Sequence, residues 1–256
     1  MSNHVETHRN GPVGEILLNR PDKLNAITPS MARLIRDACQ ALDDDDAVRV
    51  VLLHGSGESA FCAGSDIKAL DEYESTFHFR NRLEYATQVR NLRKPCVVAL
   101  KGWTLGGGFE LALSADLRVA SRTASLGAPE VGLGWVGGGG ASQMLPRLIG
   151  YGKAMQILLT GEPVDAEVAH AIGLVEYLVD EGQELEAARR IAGKIAEHSL
   201  VATQTVKAAV RSALSTPLTE GLKMENELVS LAFALGNDQA GRDAFGIRDS
   251  GTEIPD

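Results

Sequence analysis

The chain has 256 residues, 44% apolar and 23% charged, and its 34 acidic against 25 basic side chains give a formal net charge of -9. That apolar share is too high for a disordered chain, no apolar run reaches the roughly 18–20 residues that cross a bilayer, and the acidic balance disfavours nucleic-acid binding, which needs basic side chains. Three cysteines (Cys39, Cys62 and Cys96) show no paired spacing, so neither a disulfide framework nor a metal knuckle is expected. With no apolar leader at the N-terminus, they point to a reducing, cytoplasmic compartment.

In chain order, residues 13–19 read as a strand that stops at Arg20-Pro21. Ser30 is expected to cap a helix running to about residue 42, with Met31, Leu34, Ile35 and Ala38 at helical spacing. The acidic run 43–46 reads as a connector, and 48–54 as a buried strand ended by Gly55-Ser56-Gly57. Residues 96–100 form another short apolar strand after Pro95. Gly106-Gly107-Gly108 open a short helix that passes to a strand at 117–120. Helices follow at 139–148 and 151–159, a last strand at 174–179, and helical periodicity alone from 183 to 246, before a frayed acidic tail at 249–256. Strands alternating with helices predict an α/β core with a parallel sheet and an appended helical part.

The residues richest in chemistry lie between Gly106 and Gly140. Glycines at a helix start let a ligand approach the backbone closely and leave N–H groups free for negative charge; the alternative is a tight packed turn. Glu110, in Phe109-Glu110-Leu111, and Glu130, in Pro129-Glu130-Val131, both have apolar neighbours and no nearby cation. Such settings raise a carboxyl pKa and suit proton transfer, although either side chain could equally point to solvent. Phe61-Cys62-Ala63-Gly64-Ser65-Asp66-Ile67 follows a strand with small residues, where α/β proteins place ligands and where exposed amides could form an oxyanion hole. Its plainer reading is an ordinary connection with Asp66 as a helix N-cap.

Other motifs carry less. Gly132-Leu133-Gly134-Trp135-Val136-Gly137 matches the dinucleotide pattern but lacks a strand leading into it. No phosphate-loop or nucleophile-elbow motif occurs. His4 and His8 have the spacing of a metal pair but lie in an expected loose terminus without a third ligand. Cys62 has no histidine partner by spacing and reads as a small buried thiol.

Four blocks in order carry a family resemblance: Leu18 to Ala26 (Leu-Asn-Arg-Pro-Asp-Lys-Leu-Asn-Ala), Phe61 to Ile67, Gly106 to Leu111, and Pro129 to Gly134. Together they resemble the crotonase family of enoyl-CoA hydratases and isomerases, over about residues 11–246. The resemblance implies a spiral of β–β–α units, with residues 1–195 as the core and 196–256 as a C-terminal helical trimerisation region. It further implies a homotrimer or a dimer of trimers, an acyl-CoA thioester substrate and a place in fatty acid metabolism. No metal and no cofactor beyond the CoA carried by the substrate are implied.

By position, the resemblance places the oxyanion hole at the amides of Ser65 and Gly107. It assigns water activation to Glu110 and α-carbon protonation to Glu130. It puts CoA or substrate contacts at Lys23, Leu24, Ala26, Ala63, Asp66 and Ile67, with Trp135 near the acyl group and Phe245 reaching a neighbouring subunit's CoA. Both carboxylates together favour a hydratase. The alternatives are an isomerase or a carnitinyl-CoA-type dehydratase on the same fold, a catalytically silent CoA-binding subunit, or a nicotinamide-dependent oxidoreductase. The chain departs from the family where Gly137 replaces a common proline, and Gly137 to Gly140 is expected to loosen its loop.

Overall fold

A computed structural model describes residues 4–235. Packing divides the chain into two compact units, Met1–Glu197 and His198–Asp256.

The first unit opens with β1 (Val5–Asn10) and β2 (Val13–Leu18), paired antiparallel. Helix α1 (Pro29–Asp44) follows, then β3 (Val50–Gly55) and β4 (Ala60–Cys62). Next come α2 (Thr76–Arg80), α3 (Tyr85–Arg90), β5 (Cys96–Leu100), β6 (Trp103–Leu105), α4 (Gly107–Ser114), β7 (Leu117–Ser121) and β8 (Ser125–Gly127). Helices α5 (Ala141–Ile149) and α6 (Tyr151–Thr160), β9 (Val164–Asp165), α7 (Ala166–Ala171), β10 (Tyr177–Val179) and α8 (Glu184–Ala196) complete it. The second unit holds α9 (Leu200–Ser212) and α10 (Leu218–Ala234).

Two sheets form, in strand order β1-β2-β3-β5-β7-β10 and β4-β6-β8-β9. Each of the strand pairs β3–β4, β5–β6 and β7–β8 puts its first strand in the larger sheet and its second in the smaller one. Helices then return the chain to the next pair. That is a β–β–α spiral, as the resemblance implies, and its central pairings in both sheets are parallel.

The central strands β3 and β5 of the large sheet are buried on both faces, so they read as continuous apolar runs. Side chains nevertheless alternate: Val51, Leu53, Cys96 and Val98 join the cluster under α1, α3 and α4, whereas Val50, Leu52, Val97 and Ala99 meet α8. Helix α8 presents Ala187, Ala188, Ala192 and Ala196 to that face, small residues that allow close approach.

Several sequence expectations need correction. Thr28, not Ser30, caps α1, accepting from the Met31 amide at 3.2 Å, with Pro29 at the first helical position. His4 and His8 do not lie in a loose terminus: His8 sits in β1 and pairs with Glu6 at 3.3 Å, and the His4 carbonyl accepts from the Asn19 amide. The last strand begins at Tyr177 rather than residue 174, because the Leu174 and Val175 amides turn back to the Ala169 carbonyl. Helical periodicity beyond residue 235 lies outside the described residues.

Candidate active site

The C-terminal ends of β4, β6 and β8, three parallel neighbours of the small sheet, each deliver one piece of a single cavity of about 470 Å³. Strand β4 leads to Ala63-Gly64-Ser65, β6 to Gly106 and the start of α4, and β8 to a 3-10 turn (Pro129–Leu133) that carries Glu130. Ligand sites at the carboxyl ends of parallel strands follow from this geometry, because the chain leaves each strand there with free backbone groups.

Ser65 forms a bridge with Ile27 in which the Ile27 amide bonds the Gly64 carbonyl and the Asp66 amide bonds the Ile27 carbonyl. In such a parallel bridge the N–H of Ser65 itself points the other way. Gly107 is the first residue of α4, whose N–H has no intrahelical acceptor. Gly64 joins the two: its φ of +103° suits only glycine, and a Cβ there would lie 3.2 Å from the Gly107 nitrogen. Two unengaged amides therefore face the cavity from adjacent strand ends.

Tyr85 closes this corner. Its hydroxyl is 2.8 Å from Ser65 Oγ, and a Cβ on Gly107 would fall 1.7 Å from it. Glycine at position 107 is thus required for space. Burial pushes the Tyr85 phenol well above its ordinary pKa, so it stays a neutral hydrogen-bonding group.

The two carboxyls meet different surroundings. Glu110, on α4, is 4% exposed, and its Oε1 accepts from the amides of Gly139 (2.7 Å), Gly140 (2.9 Å) and Ala141 (3.1 Å). Burial raises its pKa, and these amides pull against that rise. Glu130 is half-buried, and its Oε2 is buried without a hydrogen-bond partner. Burial raises its pKa too, opposed only by its own backbone amide.

The space beside the four-glycine loop is filled by charged side chains. A Cβ on Gly137 or Gly139 would lie 2.7 or 2.6 Å from a Glu110 carboxyl oxygen, one on Gly138 2.2 Å from Arg82 Nη2, and one on Gly140 2.6 Å from Arg90 Nη2. Arg90 donates to the Gly139 carbonyl and to Ser114 Oγ (3.0 Å), and Ser114 Oγ bonds the Glu110 carbonyl (2.8 Å), tying the loop to α4.

Ser65, Gly107, Glu110, Glu130, Ala63, Ile67 and Trp135 all line the cavity. Lys23, Leu24, Ala26 and Asp66 do not. The first two lie exposed at the end of a 3-10 turn (Pro21–Lys23), followed by Asn25, whose Nδ2 donates to the carbonyls of Ser56, Ala60 and Phe61. Asp66 caps the 3-10 turn Ile67–Glu72 and pairs with Arg20 at 2.7 Å, and that guanidinium holds its carboxyl below the usual range. Phe245 lies outside the described residues. Sequence reasoning missed Tyr85, Arg82, Arg90 and Asn25; only the polar Asn25 between apolar blocks offered a local signal.

The dinucleotide pattern at Gly132 to Gly137 falls in the 3-10 turn and the loop after it, not between a strand and a helix, so it has no nucleotide context. Cys62 is fully buried, its thiol pushed up to about 12 and donating to the Asn25 carbonyl, which fits an inert thiol. Among the described residues no group of three His, Cys, Asp or Glu side chains is placed to hold a metal.

Paired free amides facing two carboxyls of raised pKa define an enzyme site that can stabilise a developing oxyanion while moving protons. Residues 8–248 match the family described as enoyl-CoA hydratase/isomerase, and the chain belongs to that family. It is 42% identical over 247 residues to a Rhizobium meliloti protein described as a "Probable enoyl-CoA hydratase", covering 94% of this chain and 93% of that protein. It is 35% identical to the crotonyl-CoA hydratase of Syntrophomonas wolfei, covering 90% of each. Among solved structures, the enoyl-CoA hydratase of Bacillus anthracis superimposes with a TM-score of 0.91 at 32% identity, covering 95% of this chain and 96% of the other.

Proposed function

We propose that the chain is an enoyl-CoA hydratase that adds water syn across the double bond of a 2-enoyl-CoA thioester. The observation that carries this reading is the unequal pair, Glu110 held by three amides and Glu130 with a buried oxygen that has no donor. Amide donors favour the ionised form, so Glu110 is the base. Glu130, whose pKa burial raises against no amide but its own, is the acid.

The thioester oxygen sits between the amides of Ser65 and Gly107. Glu110 takes a proton from water as its oxygen bonds to the β-carbon, and the alkene electron pair moves onto the thioester oxygen as an enolate. The two amides hold that charge, worth several kcal/mol because they are already aimed and shielded from bulk water. The enolate then collapses as the α-carbon takes the proton of Glu130. Solvent exchange returns a proton to Glu130 and removes one from Glu110. All groups needed are carboxyls and amides, and CoA arrives with the substrate, so the proposal includes no separate cofactor.

The reading also includes assembly as a homotrimer or a dimer of trimers and a cytoplasmic location. Exposed apolar side chains on α9 and α10 support the first. Cysteines that are few and all buried support the second. No helix of the described residues is long and apolar enough to cross a membrane.

The test follows the loss of enoyl-thioester ultraviolet absorbance with short, medium and aromatic 2-enoyl-CoAs. Glu110→Gln and Glu130→Gln are each expected to lower kcat by about 10²–10⁴-fold, the usual contribution of a positioned proton donor or acceptor. Full activity in either variant would mean that one carboxyl suffices and would favour isomerisation instead.

A further inference from the structure

Arg82 is the only cation among the described residues that line the cavity. Its guanidinium lies over the Phe79 ring, 4.3 Å from the centroid, and its Nη1 donates to the Phe79 carbonyl at 3.1 Å. Tyr73 meets the Phe79 ring edge-on, at 5.5 Å between centroids, and fixes that platform. On the other side Nη2 occupies the space that a Gly138 side chain would need. The group is thus held in place by packing, between a ring and a bare stretch of backbone.

What it lacks is an anion. Arginines elsewhere in the chain, such as Arg20, Arg93, Arg118, Arg122 and Arg189, each meet a carboxylate. None of the described ion pairs includes Arg82. Of the acids that line the cavity with it, Glu84 caps α3 through both oxygens and Glu110 Oε1 is taken by three amides, and none of the described ion pairs joins Arg82 to Glu130. The cavity wall it shares includes the apolar Leu83, Leu133, Trp135 and Val136. A fixed, partly buried guanidinium against apolar walls gains most from a ligand that brings the missing charge, and its planar fork matches a carboxylate in two parallel hydrogen bonds.

We propose that the acyl chain this site prefers ends in a carboxylate, and that Arg82 is the residue that selects it. This rests on the thioester reading above and narrows its substrate class. The hydration chemistry is unchanged; the distal carboxylate remains ionised and only positions the chain. The same guanidinium could instead meet a phosphate of CoA, and the experiment separates the two because every probe carries the same CoA.

The experiment compares kcat/KM for glutaconyl-CoA and pentenoyl-CoA in wild type, Arg82→Gln and Arg82→Lys. Saturated pairs, glutaryl-CoA against pentanoyl-CoA and adipoyl-CoA against hexanoyl-CoA, are titrated by calorimetry alongside. Wild type is expected to favour the carboxylated partner by about tenfold or more, the scale of one hydrogen bond to a charged group. In Arg82→Gln that ratio falls about tenfold, while Arg82→Lys keeps part of it through its charge. Equal treatment of both partners by wild type overturns the proposal. So does a variant that weakens both partners alike, which would place Arg82 on the shared CoA. If no enoyl thioester is hydrated at all, the hydratase reading fails by itself, and the binding ratios of the saturated pairs still decide the role of Arg82.

Discussion

Glu110 and Glu130 are the same amino acid in one cavity, and their neighbours alone divide the work between them. Three amide hydrogen bonds oppose the cost of burying charge on Glu110, whereas nothing but its own amide does so for Glu130. The acid must be protonated and the base ionised for turnover, so kcat/KM against pH is expected to be bell-shaped. Both pKa values are raised, and the two groups repel each other's charge. The acidic limb therefore lies above the ordinary carboxyl range, and the alkaline limb belongs to a carboxyl rather than to a thiol or lysine. The limbs report the coupled pair and not either residue alone. A rate that stays level from mildly acidic to strongly alkaline solution would sink this division of labour.

At the scale of elements, what was legible in the sequence is what is local. Gly106 to Leu111 and Pro129 to Gly134 carry their chemistry within a few residues of a strand end, so their order in the chain exposed the site. The smaller sheet was not legible, because β4, β6 and β8 have three residues each and β9 two, too few to show a period. Strand β1 was missed because it is an edge whose outer residues, Thr7 to Asn10, are polar and exposed. Arg82, Tyr85 and Arg90 were missed for another reason: each acts on residues twenty or more positions away, through the packing of the 76–90 segment against α4 and the glycine loop.

A second cluster of that kind fastens α8 to the sheet. Glu15 on β2 is 2% exposed and receives two hydrogen bonds from Arg189 of α8, at 2.9 and 2.8 Å, with His54 Nε2 at 3.3 Å. The Arg189 hydrogen bond is the main cause that lowers the Glu15 pKa, so that contribution to stability is present above the unfolded carboxyl pKa and lost as pH falls through the folded one. Burial lowers the His54 pKa, so the folded state resists charging it, and stability again falls as pH drops below the unfolded histidine value. Both act in the same direction, towards acid destabilisation. Arg189→Met is expected to cost about 1–3 kcal/mol in urea unfolding at neutral pH, moderated because the arginine is itself partly exposed. The cost should shrink as Glu15 is protonated. A penalty independent of pH would mean that Arg189 contributes only packing.

At the scale of the whole molecule, the unit from His198 onward differs from the first in what it leaves uncovered. Leu218 is 77% exposed, Phe233 62% and Val229 60% on α10, and Val206 and Val210 on α9 are each 63% exposed. Single exposed apolar residues are ordinary, but this many on two consecutive helices is the composition of a surface that meets another protein. A second copy of the chain is the partner that the family resemblance implies. Sedimentation of the purified protein is expected to give a mass that is a multiple of three chains. Phe233→Asp puts a charge among apolar side chains and is expected to shift that mass towards the single chain and to lower the melting temperature at equal concentration. A wild-type chain that sediments as a monomer at micromolar concentration would leave these side chains without the proposed partner. A variant as trimeric as wild type would place the interface elsewhere on the two helices.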